Sequence, residues 1–222
     1  MSKIVAYVPI KTNNLRVPGK NTRAFEGGKP LVTNILDTLL KVRYIDEVHV
    51  FTSDETINDY LPVGAIFQKR STSLDTDLTK GNDIYTAFAE AVSADIYVLV
   101  HATAPFITSK SIEKGIDAVL NNGYDSALSV AKIQTFLWKD GRPFNYSLNE
   151  RPRTQDIDPI YEETSGFFIY SNDVVQNDGR NIGDNPYPVE VSKIEAIDID
   201  EPLDFDIANA VWKEIVSKGQ EY

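Results

Sequence analysis

Ile4-Val-Ala-Tyr-Val-Pro-Ile10 runs directly into Lys11-Thr-Asn-Asn-Leu-Arg-Val-Pro-Gly-Lys-Asn-Thr-Arg23, beyond which Leu31, Ile35, Leu39 and Val42 recur at helical spacing. The first segment is short and almost wholly apolar, as expected of a strand buried on both faces. The second combines turn formers with the cations Lys11, Arg16, Lys20 and Arg23. The order is therefore strand, basic loop, helix. Open α/β sheets take their ligands at the carboxyl ends of parallel strands, and backbone N–H groups in such a loop can cradle phosphate oxygens. Gly19-Lys-Asn lacks the glycine five places upstream and the hydroxyl after lysine that a Walker A loop requires, and no G-x-G-x-x-G is present. These absences argue against a P-loop kinase and a dinucleotide dehydrogenase.

The alternation continues along the chain. Glu47–Asp54, Ala65–Arg70 and Asp95–Val100 read as strands. One helix buries Ile84, Ala87, Phe88 and Ala91; another, capped by Thr108 or Ser109, buries Ile112, Ile116, Val119 and Leu120. This order predicts an α/β fold, a mostly parallel twisted sheet with helices on both faces. The rhythm breaks after Tyr124–Val130. A hairpin around Asp140-Gly141 and a charged connection, Glu150–Pro159, make residues from about 133 to 164 an insertion into a single domain spanning 1–222. Gly166-Phe-Phe-Ile-Tyr170 returns as a strand, 181–188 reads as loop, and the closing helix buries Phe205, Ala208, Trp212 and Ile215.

Near the end lies Glu195-Ala-Ile-Asp-Ile-Asp-Glu-Pro-Leu-Asp-Phe205. In an extended strand, Asp198 and Asp200 share one face while Ile197 and Ile199 share the other. Two adjacent carboxylates repel unless a cation joins them, and Mg²⁺, an oxygen-seeking ion that keeps several waters, suits the pair. The same spacing also suits a solvated strand edge, with Glu201 or Asp200 capping a helix that begins at Pro202. The chain contains no cysteine and two histidines, so a metal would be held by oxygen. A net charge of −11 disfavours nucleic acid and anionic membranes as partners. Residues 1–25 nevertheless carry five cations and no acid, which favours small anionic ligands. No apolar run reaches the roughly 20 residues of a membrane span, and the first strand is too short for a signal peptide, so a cytoplasmic location is expected.

A basic loop after the first strand and an acidic pair near the end together match the needs of nucleotidyl transfer. On Val17-Pro-Gly-Lys-Asn21, Thr52-Ser-Asp54, Arg70 with Leu74 and Asp77, Thr103-Ala-Pro105, Arg151-Pro-Arg-Thr-Gln155 and Glu195–Glu201, the chain resembles the acylneuraminate cytidylyltransferases (CMP-sialic acid synthetases). It is more distantly similar to the CMP-Kdo synthetases. The resemblance covers nearly the whole chain and implies a Rossmann-like nucleotidyltransferase fold. The implied reaction joins the anomeric hydroxyl of a 2-keto sugar acid to the α-phosphate of CTP and releases pyrophosphate.

Carried over residue by residue, the resemblance gives Lys11, Asn14, Arg16, Lys20, Asn21 and Arg70 to the nucleotide. It gives Asp198 and Asp200 to Mg²⁺, with Lys20 completing the catalytic set. His101, Arg151, Arg153, Gln155, Ser165 and Gly166 fall to the acceptor. Lys11 stands where the family has arginine, Asn14-Leu15 replaces a serine–lysine pair, His101 replaces a glutamine, and Ser165-Gly166 replaces an asparagine–glycine pair. Three of these departures lie where the sugar should sit, so they bear on acceptor identity. The insertion resembles the family's dimerisation element, and its Phe136, Leu137, Trp138, Phe144 and Tyr146 favour burial against a second copy. The alternatives are a nucleotidylyltransferase with another acceptor and a catalytically silent nucleotide-binding or assembly protein.

Overall fold

The computed structural model of the chain describes residues 2–11 and 16–219. Five strands and three helices alternate first: β1 (Ile4–Pro9), α1 (Leu31–Leu39), β2 (Glu47–Thr52), β3 (Ala65–Lys69), α2 (Gly81–Ala91), β4 (Ile96–Val100), α3 (Ser109–Asn121) and β5 (Ser126–Ile133). A small hairpin follows, β6 (Trp138–Lys139) and β7 (Arg142–Pro143), and then β8 (Ile160–Ser171), α4 (Asn172–Asp178), β9 (Pro186–Val191) and α5 (Pro202–Glu214). The main sheet has seven strands in the order β3-β2-β1-β4-β8-β5-β9. Strand β8 runs antiparallel to β4 and β5, and the other neighbouring pairs are parallel.

Period-two alternation sends the apolar residues of β1 to two cores. Ile4, Ala6 and Val8 pack with Val32, Ile35, Leu36 and Leu39 of α1 and with Ile112 and Ile116 of α3. Val5 and Tyr7 pack with Phe88 and Ala89 of α2 and with Val174 and Val175 of α4. Helices therefore cover both faces, as a central parallel sheet requires. A third cluster, with Phe25, Phe106, Ile199, Phe205 and Ala208, seats α5 beside the loops at the sheet's carboxyl end.

Ala91 of α2, expected on the buried face, is exposed and Ala89 is buried instead, and two larger expectations need correction. The acidic stretch is not a strand: residues 193–196 form a turn and 197–200 belong to no regular element. The alternation survives locally, because Ile199 is buried and Ile197 packs beside it in the third cluster. The last strand is instead Pro186–Val191, within and beyond a stretch read as loop from its prolines. Proline is tolerated there because β9 is an edge strand, paired only with β5. The hairpin turns at Asp140-Gly141, with φ of 52° and 75°. The chain to Pro159 is irregular apart from a 3-10 turn at Thr154–Asp156, and β8 has resumed pairing by Ile160.

Candidate active site

Where β1 ends, the basic loop turns on Gly19, whose φ of 67° favours glycine, and Lys20–Thr22 form a short 3-10 helix. Asn21 is buried and its Nδ2 donates to the Lys11 carbonyl at 3.1 Å, tying the two ends of the loop together. Lys20 points back over the sheet. Its Nζ donates to the Ile199 carbonyl at 2.8 Å and lies 3.4 Å from Asp200 Oδ1.

The acidic segment reaches this position by three fastenings. Glu195 is buried and accepts hydrogen bonds from the Thr108 amide and hydroxyl and the Ser111 hydroxyl at the start of α3, and from the Ser192 amide. The Ile199 amide donates to the Thr103 carbonyl at 2.9 Å, carrying the segment across the end of β4. Asp204 then accepts from the amides of Asp200 and Glu201, so that Glu201 caps α5 and Pro202 occupies its first turn.

Asp200 Oδ1 accepts from Arg16 at 2.8 Å, and Arg16 also donates to Glu201 at 3.3 Å. Asp198 differs from its neighbour: its Oδ1 is buried with no hydrogen-bond partner. A carboxylate oxygen in that condition is costly unless a cation reaches it.

His101, immediately after β4, completes this cluster. Its Nδ1 lies 2.9 Å from the Ser165 carbonyl. Burial pushes the imidazole below its ordinary value, opposed by the Ser165 carbonyl and Asp198. Ser165 reaches His101 through a bulge. The register passes from Leu128 opposite Phe168 to Val130 opposite Glu163, so Thr164–Phe167 of β8 face the single residue Ser129 of β5. Ser129 Oγ accepts from the Phe167 amide at 3.0 Å and from the Thr164 hydroxyl at 2.7 Å, stapling the bulge shut. Gly166 lies within it because a Cβ there would come within 2.5 Å of Ile107 Cδ1.

A second cluster lies at the ends of β1, β2 and β3. Arg70 is buried and donates to Asp75 at 2.6 Å, while the Ser53 hydroxyl donates to the other Asp75 oxygen at 2.5 Å. Burial works to raise the Asp75 carboxyl, but Ser53, Arg70 and Lys11 together hold it below the usual carboxylate range. Lys11 pairs with Asp77 at 2.7 Å.

The fold thus brings Arg16, Lys20, His101, Ser165, Asp198 and Asp200 into one region, with Lys11 and Arg70 in the neighbouring cluster. Asn14 lies outside the described residues. Arg151, Arg153 and Gln155 sit in the insertion. Arg151 stacks 4.3 Å from the Phe136 ring centre, Arg153 forks onto Asp156 at 2.7 and 3.0 Å, and the Gln155 carbonyl accepts from Gln134. Sequence reasoning missed the supporting residues Ser129 and Thr164. The available signal was Gly166 inside a strand pattern, which marks a bulge or a close approach.

A family model described as Cytidylyltransferase matches residues 5–211. The chain is 25% identical over 215 residues to an N-acylneuraminate cytidylyltransferase A of Danio rerio, covering 92% of this chain and 50% of that protein. It therefore spans about half the length of that relative. It is 26% identical over 234 residues to a CMP-N,N'-diacetyllegionaminic acid synthase of Legionella pneumophila, covering 99% of this chain and 98% of the relative. In fold it is similar to a solved CMP:2-keto-3-deoxy-manno-octonic acid synthetase complexed with CTP. That match has a TM-score of 0.71 and 18% identity, and covers 96% of this chain and 99% of the other. With the family model matching nearly its full length, the chain belongs to the cytidylyltransferase family.

Proposed function

We propose that this protein transfers CMP from CTP to the anomeric hydroxyl of a 2-keto sugar acid and releases pyrophosphate, working as a cytoplasmic homodimer. The observation that carries the reading is the meeting of the basic loop with the acidic segment, where Lys20 reaches Asp200 and Asp198 keeps a buried oxygen without a partner. Relatives named for N-acylneuraminate and N,N'-diacetyllegionaminic acid support an acid as acceptor.

The donor set fits Mg²⁺. Asp198 supplies an orphaned carboxylate oxygen, and no third acidic or imidazole side chain joins the pair among the described residues. The other positions around the ion fall to water and substrate phosphate, the usual arrangement for this metal. Magnesium there would offset phosphate charge and so favour displacement at the α-phosphorus.

The remaining work belongs to the chain. Lys20 and Arg16 are held at the site by carboxylates and can turn to phosphate when nucleotide arrives. Lys11 and Arg70, steadied by Asp77 and Asp75, extend the cationic wall. His101 and the bulge form the acceptor side. In the insertion, Trp138, Phe144, Leu148 and Tyr161 are exposed, which supports pairing with a second copy whose acceptor pocket Arg151 or Arg153 approaches. A crystal soaked with CTP and magnesium tests the assignment. Phosphates beside Lys20 and Asp198 are expected, and CTP bound away from the carboxyl ends of β1 and β4 would overturn it.

A further inference from the structure

The acids of residues 195–204 do different work. Glu201 pairs with Arg16, Asp204 helps to cap α5, and Asp198 and Asp200 form the acidic pair. Glu195 stands apart from all of them. It is 5% exposed, and four donors meet its two oxygens. Oε1 accepts from the Thr108 amide at 3.2 Å, the Thr108 hydroxyl at 2.8 Å and the Ser111 hydroxyl at 2.6 Å, and Oε2 accepts from the Ser192 amide at 3.1 Å. Helix α3 does not need this carboxylate as its cap, because the Thr108 side chain already accepts from the Ser111 amide. What the contact fastens is the acidic segment.

Asp198 depends on that fastening. Among the described residues no hydrogen bond reaches its carboxylate, so its place is set through the backbone. The backbone is tied on either side of it, by Glu195 to Thr108 and by the Ile199 amide to the Thr103 carbonyl at 2.9 Å. Both ties run to the loop between β4 and α3, which begins at His101. That loop is itself packed: Ala102, Ala104, Phe106 and Ile107 are buried, and Asn34 of α1 donates to the Pro105 carbonyl at 2.8 Å. Resting on the function proposed above, we infer that Glu195 is a positioning residue, touching neither nucleotide nor metal, which holds Asp198 against the β4–α3 loop where the acidic pair can share an ion. Glutamine cannot replace it. Its NH₂ group accepts nothing, so it would strand either the Ser192 amide or the three donors of α3. Loosening the turn at 193–196 lets Asp198 drift, and an ion shared by two carboxylates is held less tightly once one of them is unfixed.

The test uses Mn²⁺ in place of magnesium, because water-proton relaxation then reports the ion on the protein. Titrations of wild type and Glu195→Gln, with and without one equivalent of CTP, should show the variant binding Mn²⁺ about tenfold more weakly. In steady state kcat should fall by roughly the same factor, while the KM for CTP, served by Lys20, Asn21 and Arg70, stays near the wild-type value. Asp125→Ala is the control for a merely structural effect. Asp125 precedes β5 at its amino end, away from the site, and its carboxylate accepts from the Asp184 and Asn185 amides and the Ser126 hydroxyl. Both variants should melt below wild type, and only Glu195→Gln should lose Mn²⁺. Ser111→Ala keeps the carboxylate but removes its shortest bond, so it should weaken Mn²⁺ about threefold and decides the matter if Glu195→Gln does not fold. Wild-type Mn²⁺ affinity in Glu195→Gln, or in Ser111→Ala where the first variant does not fold, would overturn the inference, as would equal losses in Glu195→Gln and Asp125→Ala. Each of those results leaves the metal assignment standing. A wild type that binds no Mn²⁺ in either condition overturns that assignment and the role of Glu195 together.

Discussion

Ser129→Ala should uncouple the bulge from the rest of the sheet. Ser129 is fully buried, and its hydroxyl accepts from the Phe167 amide at 3.0 Å and from the Thr164 hydroxyl at 2.7 Å. Thr164 has a second acceptor, the Ser129 carbonyl at 3.1 Å, so the substitution chiefly strands the Phe167 N–H. A buried donor left without a partner costs about 1–3 kcal/mol. Near this chain length, each kcal/mol lowers the melting temperature by roughly 2–4 °C, so a drop of about 4–8 °C is expected for ~2 kcal/mol. The drop alone would not implicate the site. Ser126→Ala is the control, because Ser126 is equally buried in β5 and its hydroxyl donates to Asp125 and accepts from the Gly183 amide. Both variants should melt early in a calorimetric scan, but only Ser129→Ala should disturb the His101 imidazole resonances and turnover. Equal turnover in the two variants, or a Ser129→Ala that melts like wild type, would refute the idea that the bulge positions His101.

Asp198→Asn should cut turnover at least ~100-fold while CTP affinity falls much less, since charge neutralisation matters most in the transition state; wild-type turnover at ordinary Mg²⁺ would contradict the metal assignment. Lys20→Ala should weaken CTP binding by a factor that shrinks as salt is raised, measured by titration calorimetry at several ionic strengths, because added ions screen a cation–triphosphate pair. Arg153→Ala should raise the acceptor's KM without changing CTP affinity, in a protein whose solution mass is that of a dimer; a fully active monomer would exclude a shared site. Because the folded state holds His101 below its ordinary 6.5, the unfolded chain takes up its proton first as pH falls. The associated stability is intact above 6.5 and is lost as pH drops towards the folded value, a slope that His101→Gln should flatten in denaturant titrations. The contributions of Asp75 and Asp125, held below their ordinary 3.8, persist above that pH and are lost only as pH falls through their folded values.

The elements most legible in sequence were those whose signals are local. The apolar run of β1 and the 31, 35, 39 spacing of α1 needed no distant partner to be read, and they set the direction of the sheet. The Asp140-Gly141 turn and the cap at Thr108 were equally local. The acidic segment was legible as chemistry but not as conformation. Its alternation looks like a strand, and only long-range fastenings by Thr103, Thr108 and Ser111 keep it a loop over the sheet. β9 was obscured because proline is a loop signal unless the strand lies at an edge, and edge position belongs to topology. The bulge was hidden for a related reason. Ser129 and Thr164 are 35 positions apart and unremarkable alone, and they become a device only when β5 and β8 pair.

The central claim, CMP transfer to a sugar acid, is tested most directly by following the ³¹P spectrum of CTP and Mg²⁺ with the protein and a panel of 2-keto sugar acids. At least one acid should consume CTP and yield a phosphodiester and pyrophosphate in equal amounts, with neither product formed when the acid is omitted. Hydrolysis of CTP without an acceptor, or transfer only to acceptors that carry no carboxylate, would contradict it.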